Sequence, residues 1–218
     1  MHFENEYFME YLSLFVLIFI THLLAVMSPG PDFVMVLKNA LQYNRKIAVY
    51  TALGISLGIG VHILYSIWGI AYLLQQNHAL FTGIKIAGAL YLIYMGIRTW
   101  QSARENIEVK AMHTPANISI FEAIKIGFVT NVLNPKASLF FLSIFSVVIP
   151  PDVPLWVLLI ISAMLIVVTF LWFAFVSYLF TNPQVVKRYQ KIEKYLLLIL
   201  GLILILLGAG IILEILAG

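Results

Sequence analysis

The chain alternates long apolar runs with short polar segments. The apolar runs cover residues 11–28, 48–74, 79–97, 121–149, 155–180 and 195–217. A helix needs about 20 apolar residues to cross the hydrocarbon core of a membrane, and each run is close to or above that length. Unbroken runs favour helices over the alternating segments of a membrane barrel. We therefore predict an all-α, polytopic membrane protein with six transmembrane helices in one domain, 1–218.

Proline interrupts two of these runs at corresponding places. The first run breaks at the segment Ser28-Pro29-Gly30-Pro31-Asp32 and the fourth at Asn134-Pro135-Lys136. Each broken run opens one half of the chain, so we predict a first repeat of about 11–97, a polar loop of about 98–120 and a second repeat of about 121–217. Halves of three spans must insert in opposite orientations, which makes the repeats inverted. Paired breaks in inverted repeats indicate a transporter's binding site, although proline also kinks ordinary membrane helices.

Composition agrees with a membrane location, and the few charges predict the orientation. Hydrophobic residues make up 62% of the 218 residues and charged residues only 11%, which a soluble domain of this size could not accommodate. Lysine and arginine cluster after the first, third and fifth runs, so these segments are expected in the cytoplasm and both termini outside. The net charge of +3 then reflects topology rather than nucleic-acid binding. The absence of cysteine excludes disulfide and thiol redox chemistry.

Asp32 is the clearest acidic candidate for function. A carboxylate at the bilayer centre costs roughly 2.5–3.5 kcal/mol, so it should face protein or water, where it could receive a substrate ammonium group or a proton. The alternative is an acid at a helix N-terminus near the membrane edge, favoured by the helix dipole.

Lys136 is the matching basic candidate. Asn134 is a good helix cap and Pro135 suits the first helical position, so a half-helix could begin here with its free N–H groups facing an anion. The same logic applies at Ser28-Pro29. Together these features predict a carboxylate-binding locus, whose polar lining would include Thr130 and Asn131. Alternatively, Lys136 extends to the outer interface.

A direct pair between these two charges requires helices that tilt or unwind. In straight helices their depths would differ by ~10 Å or more, since the rise per residue is fixed. Of the other polar residues in apolar runs, we expect Lys85 to reach the outer headgroups, and His22 and His62 to be hydrogen-bonded packing residues.

Glycines at close-packing spacing mark the second and third runs. Gly54 and Gly58 form a GxxxG motif, and Gly88 and Gly96 follow in the next run. Such positions let helices approach closely. Both a core contact and a homodimer face remain open.

Four motifs in order resemble the LysE/RhtB amino-acid exporters. They are Ser-Pro-Gly-Pro at 28–31, YTALGISLG at 50–58, GALYLIYMG at 88–96, and GFVTN with NPK within 127–136. The resemblance covers nearly the whole chain. It implies a secondary transporter of the bacterial inner membrane, not an enzyme, that exports amino acids such as threonine, homoserine or leucine with the proton gradient and without a cofactor.

The resemblance makes Pro-Gly-Pro-Asp and Asn-Pro-Lys the transport-critical segments. Both segments lie within the candidate set found from the breaks, which is Ser28, Pro29, Gly30, Pro31, Asp32, Thr130, Asn131, Asn134, Pro135 and Lys136. The hypothesis is that Lys136 and the half-helix N-termini hold a substrate carboxylate while Asp32 takes the ammonium group or a proton.

The competing classes are a membrane enzyme, a structural subunit, and an exporter of a metal or other cation. An enzyme needs convergent catalytic groups, whereas the candidates here are scattered. A structural subunit has no need of paired broken helices with embedded charges. A cation exporter needs several buried acids, and only Asp32 is a clear one.

Overall fold

The computed structural model describes residues 2–28, 30–76, 78–103, 118–150 and 153–217. Within these residues the chain forms eight α-helices. They are α1 (His2–Met27), α2 (Pro31–Gln42), α3 (Arg45–Gln76), α4 (His78–Ser102), α5 (Ile120–Val132), α6 (Pro135–Val147), α7 (Leu155–Leu179) and α8 (Pro183–Ala217).

The helices include long apolar spans and two bent pairs. Three stretches, in α3, α7 and α8, are long and apolar enough to cross a membrane. The pair α1–α2 bends by 56° and the pair α5–α6 by 59°, so up to five crossings result if each pair is one span. The all-α, polytopic membrane class is therefore confirmed. In the predicted arrangement of six spans in inverted repeats, α4 would be the remaining crossing.

The second break forms as its sequence predicts. The side-chain oxygen of Asn134 accepts a hydrogen bond from the backbone N–H of Lys136 at 3.0 Å, and Pro135 is the first residue of α6. This cap satisfies one of the free N–H groups at the helix start.

The prediction that a half-helix starts at Ser28-Pro29 is wrong. The backbone N–H of Ser28 still bonds to the carbonyl of Leu24 at the end of α1, and the new helix starts at Pro31 with Gly30 as its cap. A residue before proline is disfavoured in the helical conformation, so Gly30 delays the start of α2 to Pro31.

The predicted basic loops are shorter than expected. Lys38 belongs to α2, Arg45 begins α3, and the residues after Pro183 continue as α8. Lysine, arginine and glutamine are good helix formers, so positive charge at a membrane edge does not interrupt a helix. In the predicted loop 98–120, residues 98–102 belong to α4, and 104–117 lie outside the described residues.

Glycine brings α3 and α5 into backbone contact. A methyl group on Gly54 would overlap with the carbonyl of Ile124, and one on Gly127 with the carbonyl of Thr51. A methyl group on Gly58 would overlap with the side chain of Asn131. The GxxxG motif of α3 therefore forms a core contact, and it fixes the face that α5 turns toward the centre of the protein.

Gly54→Ala is expected to destabilise the fold strongly. The clash is with backbone, so no side-chain rotation relieves it and α3 must separate from α5. Overpacking of a core typically costs about 1–3 kcal/mol or more. Thermal unfolding of the purified protein in detergent measures this loss. The matched control is Gly69→Ala in the same helix, where a methyl group meets nothing within 4 Å. Equal melting temperatures for the two variants would show that the α3–α5 contact is looser than described.

Candidate functional site

The two breaks meet at a cavity in the centre of the helices. This narrow cavity has a volume of about 40 Å³. Its polar wall comes from the broken spans, and its apolar wall from aromatic residues of α6 and α7 with Ile59 of α3. Of the predicted site residues, it is lined by Ser28, Gly30, Asp32, Asn131, Asn134 and Lys136.

Asp32 joins the first break to the second. Its Oδ2 accepts hydrogen bonds from the side-chain amides of Asn131 at 3.0 Å and Asn134 at 2.9 Å. The other carboxylate oxygen, Oδ1, is buried and has no hydrogen-bond partner among the described residues. One oxygen therefore anchors the side chain, and the other is left to bind a donor within the cavity wall.

Lys136 makes the opposite connection. Its ammonium group donates a hydrogen bond to the backbone carbonyl of Ser28 at 2.6 Å. A methyl group on Gly30 would lie 3.1 Å from Cδ of Lys136, so glycine leaves room for the lysine chain to cross the break. Each break thus supplies a charge that hydrogen-bonds to the other break.

Bending brings the two charges to one cavity. The depth difference of ~10 Å expected from helical rise applies to straight helices. Bends of 56° and 59° turn the half-helices across the protein, and the described residues between them, Ser28, Gly30, Leu133 and Asn134, are not helical. Asp32 and Lys136 therefore line the same cavity, while their hydrogen bonds go to different partners.

Neighbouring side chains hold the cavity-lining residues of the two breaks in place. His62 hydrogen-bonds to the carbonyl of Asn131 at 2.9 Å and to the hydroxyl of Tyr65 at 2.8 Å, and its ring stacks on Phe141 with centroids 5.8 Å apart. The hydroxyl of Ser28 bonds to that of Thr99 at 2.7 Å. These contacts fix the second break against α3 and the first against α4.

The other described residues of the predicted site do not line the central cavity. Pro31 and Pro135 line a wider neighbouring cavity with Tyr91 and Arg98, and this cavity shares Ser28, Gly30 and Lys136 with the central one. Thr130 lies in a groove along α5 with Phe121, Glu122, Lys125, Ile126 and Val129, away from the central cavity. Pro29 falls outside the described residues.

Two polar cavity residues were missed as site candidates. His22 was expected to be a packing residue, and Thr169 was not singled out. Both line the cavity and hydrogen-bond to each other, with Nε2 2.8 Å from Oγ1. The available signal was their position as polar residues inside apolar runs, which are often functional in membrane helices.

An all-helical membrane protein whose two broken spans enclose a charged cavity has the architecture of a secondary transporter. The chain belongs to the LysE type translocator family, whose model matches residues 23–214. The resemblance found in the sequence is confirmed, and so is the prediction of a membrane transport protein. At the family level, this membership supports amino-acid export and a transporter rather than an enzyme.

Relatives of this chain include proteins named for amino-acid export. The chain is 34% identical over 189 residues to the threonine efflux protein of Escherichia coli K12, covering 85% of this chain and 90% of that one. Identity to the threonine efflux protein of Salmonella typhi is 32% over 187 residues, with the same coverage. An uncharacterized membrane protein of Haemophilus influenzae is 29% identical over 191 residues, or 87% of this chain and 91% of that one. No solved structure matches the chain significantly.

Proposed function

We propose that this protein exports threonine or a similarly small amino acid, such as homoserine, across the bacterial inner membrane in exchange for protons. The observation that carries the proposal is a single cavity that presents one carboxylate and one ammonium group, from two broken helices. An amino acid is a zwitterion of matching charges. The names of the threonine efflux relatives support the size class of the substrate.

The substrate carboxylate is assigned to Lys136. The N–H groups of Lys136 and Ser138 are already bonded to Asn134, so the start of α6 contributes the positive end of its dipole. On binding, the carboxylate accepts a hydrogen bond from the lysine ammonium group, which carries three N–H donors. Gly30, which gives the lysine chain its space, lies directly beside this point.

The substrate ammonium group is assigned to Asp32. Its Oδ1 is a buried acceptor in need of a donor, while Asn131 and Asn134 hold the other oxygen. A proton can take the same place once the substrate has left. Because the ammonium group and the proton compete for one carboxylate, they cross the membrane in opposite directions.

Alternating access would rock the two halves of the chain against each other around this cavity. The positive-inside rule predicts both termini outside, so in the proposed cytoplasm-facing state the substrate would reach the cavity from the side of the basic segments.

Efflux from proteoliposomes tests the proposal. Vesicles containing the full chain and loaded with labelled threonine should release it at least about tenfold faster than protein-free vesicles when a pH gradient is imposed, and a protonophore should remove the acceleration. A screen of the twenty amino acids identifies the substrate range. If no amino acid leaves the vesicles while a metal cation does, the proposed substrate class is wrong. Amino-acid efflux that does not depend on the pH gradient would refute the exchange for protons but not amino-acid export.

A further inference from the structure

A polar pair lies within the apolar part of the central cavity. His22 of α1 is 1% exposed and Thr169 of α7 is 0% exposed. Their side chains hydrogen-bond at 2.8 Å, and both line the cavity. Neither takes part in the contacts that hold Asp32 and Lys136.

Aromatic side chains surround this pair. The rings of Phe140 and Phe141 lie 5.9 and 5.7 Å from the ring of His22, centroid to centroid, and Phe173 lines the same cavity. Polar groups are unfavourable in such surroundings unless their hydrogen bonds are made. A contact needed only for packing between α1 and α7 could be made by apolar residues of similar size.

The pair has hydrogen-bonding capacity to spare. Nδ1 of His22 is buried with no hydrogen-bond partner among the described residues. The hydroxyl of Thr169 has one donor and two acceptor positions, so its bond to His22 does not exhaust them. A hydroxyl group entering the cavity could both donate to and accept from this pair.

The spacing along α1 is compatible with a small amino acid. His22 precedes Ser28, the partner of Lys136, by six residues in α1, which corresponds to ~9 Å along the helix axis. In threonine, four covalent bonds of roughly 1.5 Å each separate a carboxylate oxygen from the hydroxyl oxygen, and with a hydrogen bond of about 3 Å at each end the fully extended span is at most about 12 Å. A threonine held by Lys136 could therefore reach the pair with its side-chain hydroxyl group.

We infer that His22 and Thr169 form a subsite that recognises the side-chain hydroxyl group of the substrate and so makes the transporter selective for hydroxyl-bearing amino acids. This inference rests on the proposed function, since it requires the substrate's charged groups to bind at Asp32 and Lys136. Valine is the informative competitor because it has the shape of threonine with a methyl group in place of the hydroxyl. A site built to bond a hydroxyl rejects such an analogue by leaving its own polar groups unpaired.

The test compares threonine and valine in the same vesicles. Proteoliposomes with the wild-type chain are loaded with equal amounts of both amino acids, each with its own label, and initial efflux rates are measured. The wild type should favour threonine by about tenfold or more. Thr169→Val should bring the ratio close to one, chiefly by slowing threonine. Thr169→Ser, which keeps the hydroxyl, is the matched control and should retain the preference.

The outcomes separate this inference from the proposed function. Equal export of the two amino acids by the wild type refutes the subsite but not amino-acid export. This comparison uses the wild-type protein alone and does not depend on the folding of a variant. Two results with a Thr169→Val protein that melts like the wild type also refute the subsite: an unchanged preference for threonine over valine, or an equal slowing of both substrates. The hydrogen bond between His22 and Thr169 would then be purely structural. Export of neither amino acid nor of any other refutes the proposed function itself.

Discussion

Asp32→Asn is expected to reduce threonine efflux at least about 100-fold. The substrate ammonium group would lose its proposed partner, and removing one partner of a buried charge pair costs about 3–5 kcal/mol. Asparagine keeps the shape of the side chain and an oxygen that can still accept from Asn131 and Asn134. What it loses is the negative charge for the substrate ammonium group or the proton. Initial efflux rates from loaded proteoliposomes measure the effect, at matched protein content.

The matched control is a carboxylate outside the cavity. Glu214 lies exposed near the end of α8, so Glu214→Gln should leave efflux within about twofold of the wild type, as expected for an exposed charge. Melting temperatures of both variants show whether either has lost its fold. Full efflux by a folded Asp32→Asn protein would remove Asp32 from the transport mechanism.

Lys136→Met is expected to weaken carboxylate recognition by about 10- to 100-fold, since a hydrogen bond to a charged group contributes about 1.5–3 kcal/mol. Methionine keeps much of the apolar chain that passes Gly30 and removes the ammonium group. The loss should appear as a higher threonine concentration for half-maximal efflux. Threonine amide, which has no carboxylate, serves as the second substrate. The wild type should prefer threonine to its amide, and the variant should not.

The control for this charge is Lys125. It is exposed on α5 and does not line the central cavity, so Lys125→Met should retain both the rate and the preference for the carboxylate. If Lys136→Met still prefers threonine to its amide as strongly as the wild type, the carboxylate binds elsewhere. The remaining candidate for binding the carboxylate would then be the N-terminus of α6 without a contribution from the lysine.

Local chemistry made the two breaks predictable from the sequence. Proline at 31 and 135 and the amide of Asn134 act within a few residues, so the ends of α1 and α5 and the cap of α6 could be read directly. The start of α2 was misplaced because it depends on which proline in Pro-Gly-Pro begins the helix. Gly30 decides this through its own backbone conformation.

The meeting of the breaks could not be predicted in the same way. It depends on the two bend angles and on the rotation of α5, which Gly54 and Gly127 fix by backbone contact with α3. That rotation turns Asn131 into the cavity and leaves its neighbour Thr130 outside, since successive residues of a helix point about 100° apart. From the sequence alone both looked equally suitable as polar lining. His22 and Thr169 come together from helices 147 positions apart, which no local pattern reveals.

The bond between Lys136 and the Ser28 carbonyl makes the protein its own competitive ligand. A carboxylate that binds there joins or replaces an existing hydrogen bond, so the net free energy of binding is smaller than the whole of a new one. If Lys136 holds the substrate carboxylate as proposed, we expect weak binding of the substrate. Efflux would then rise with the concentration of the free amino acid in the cell and fall as that concentration falls.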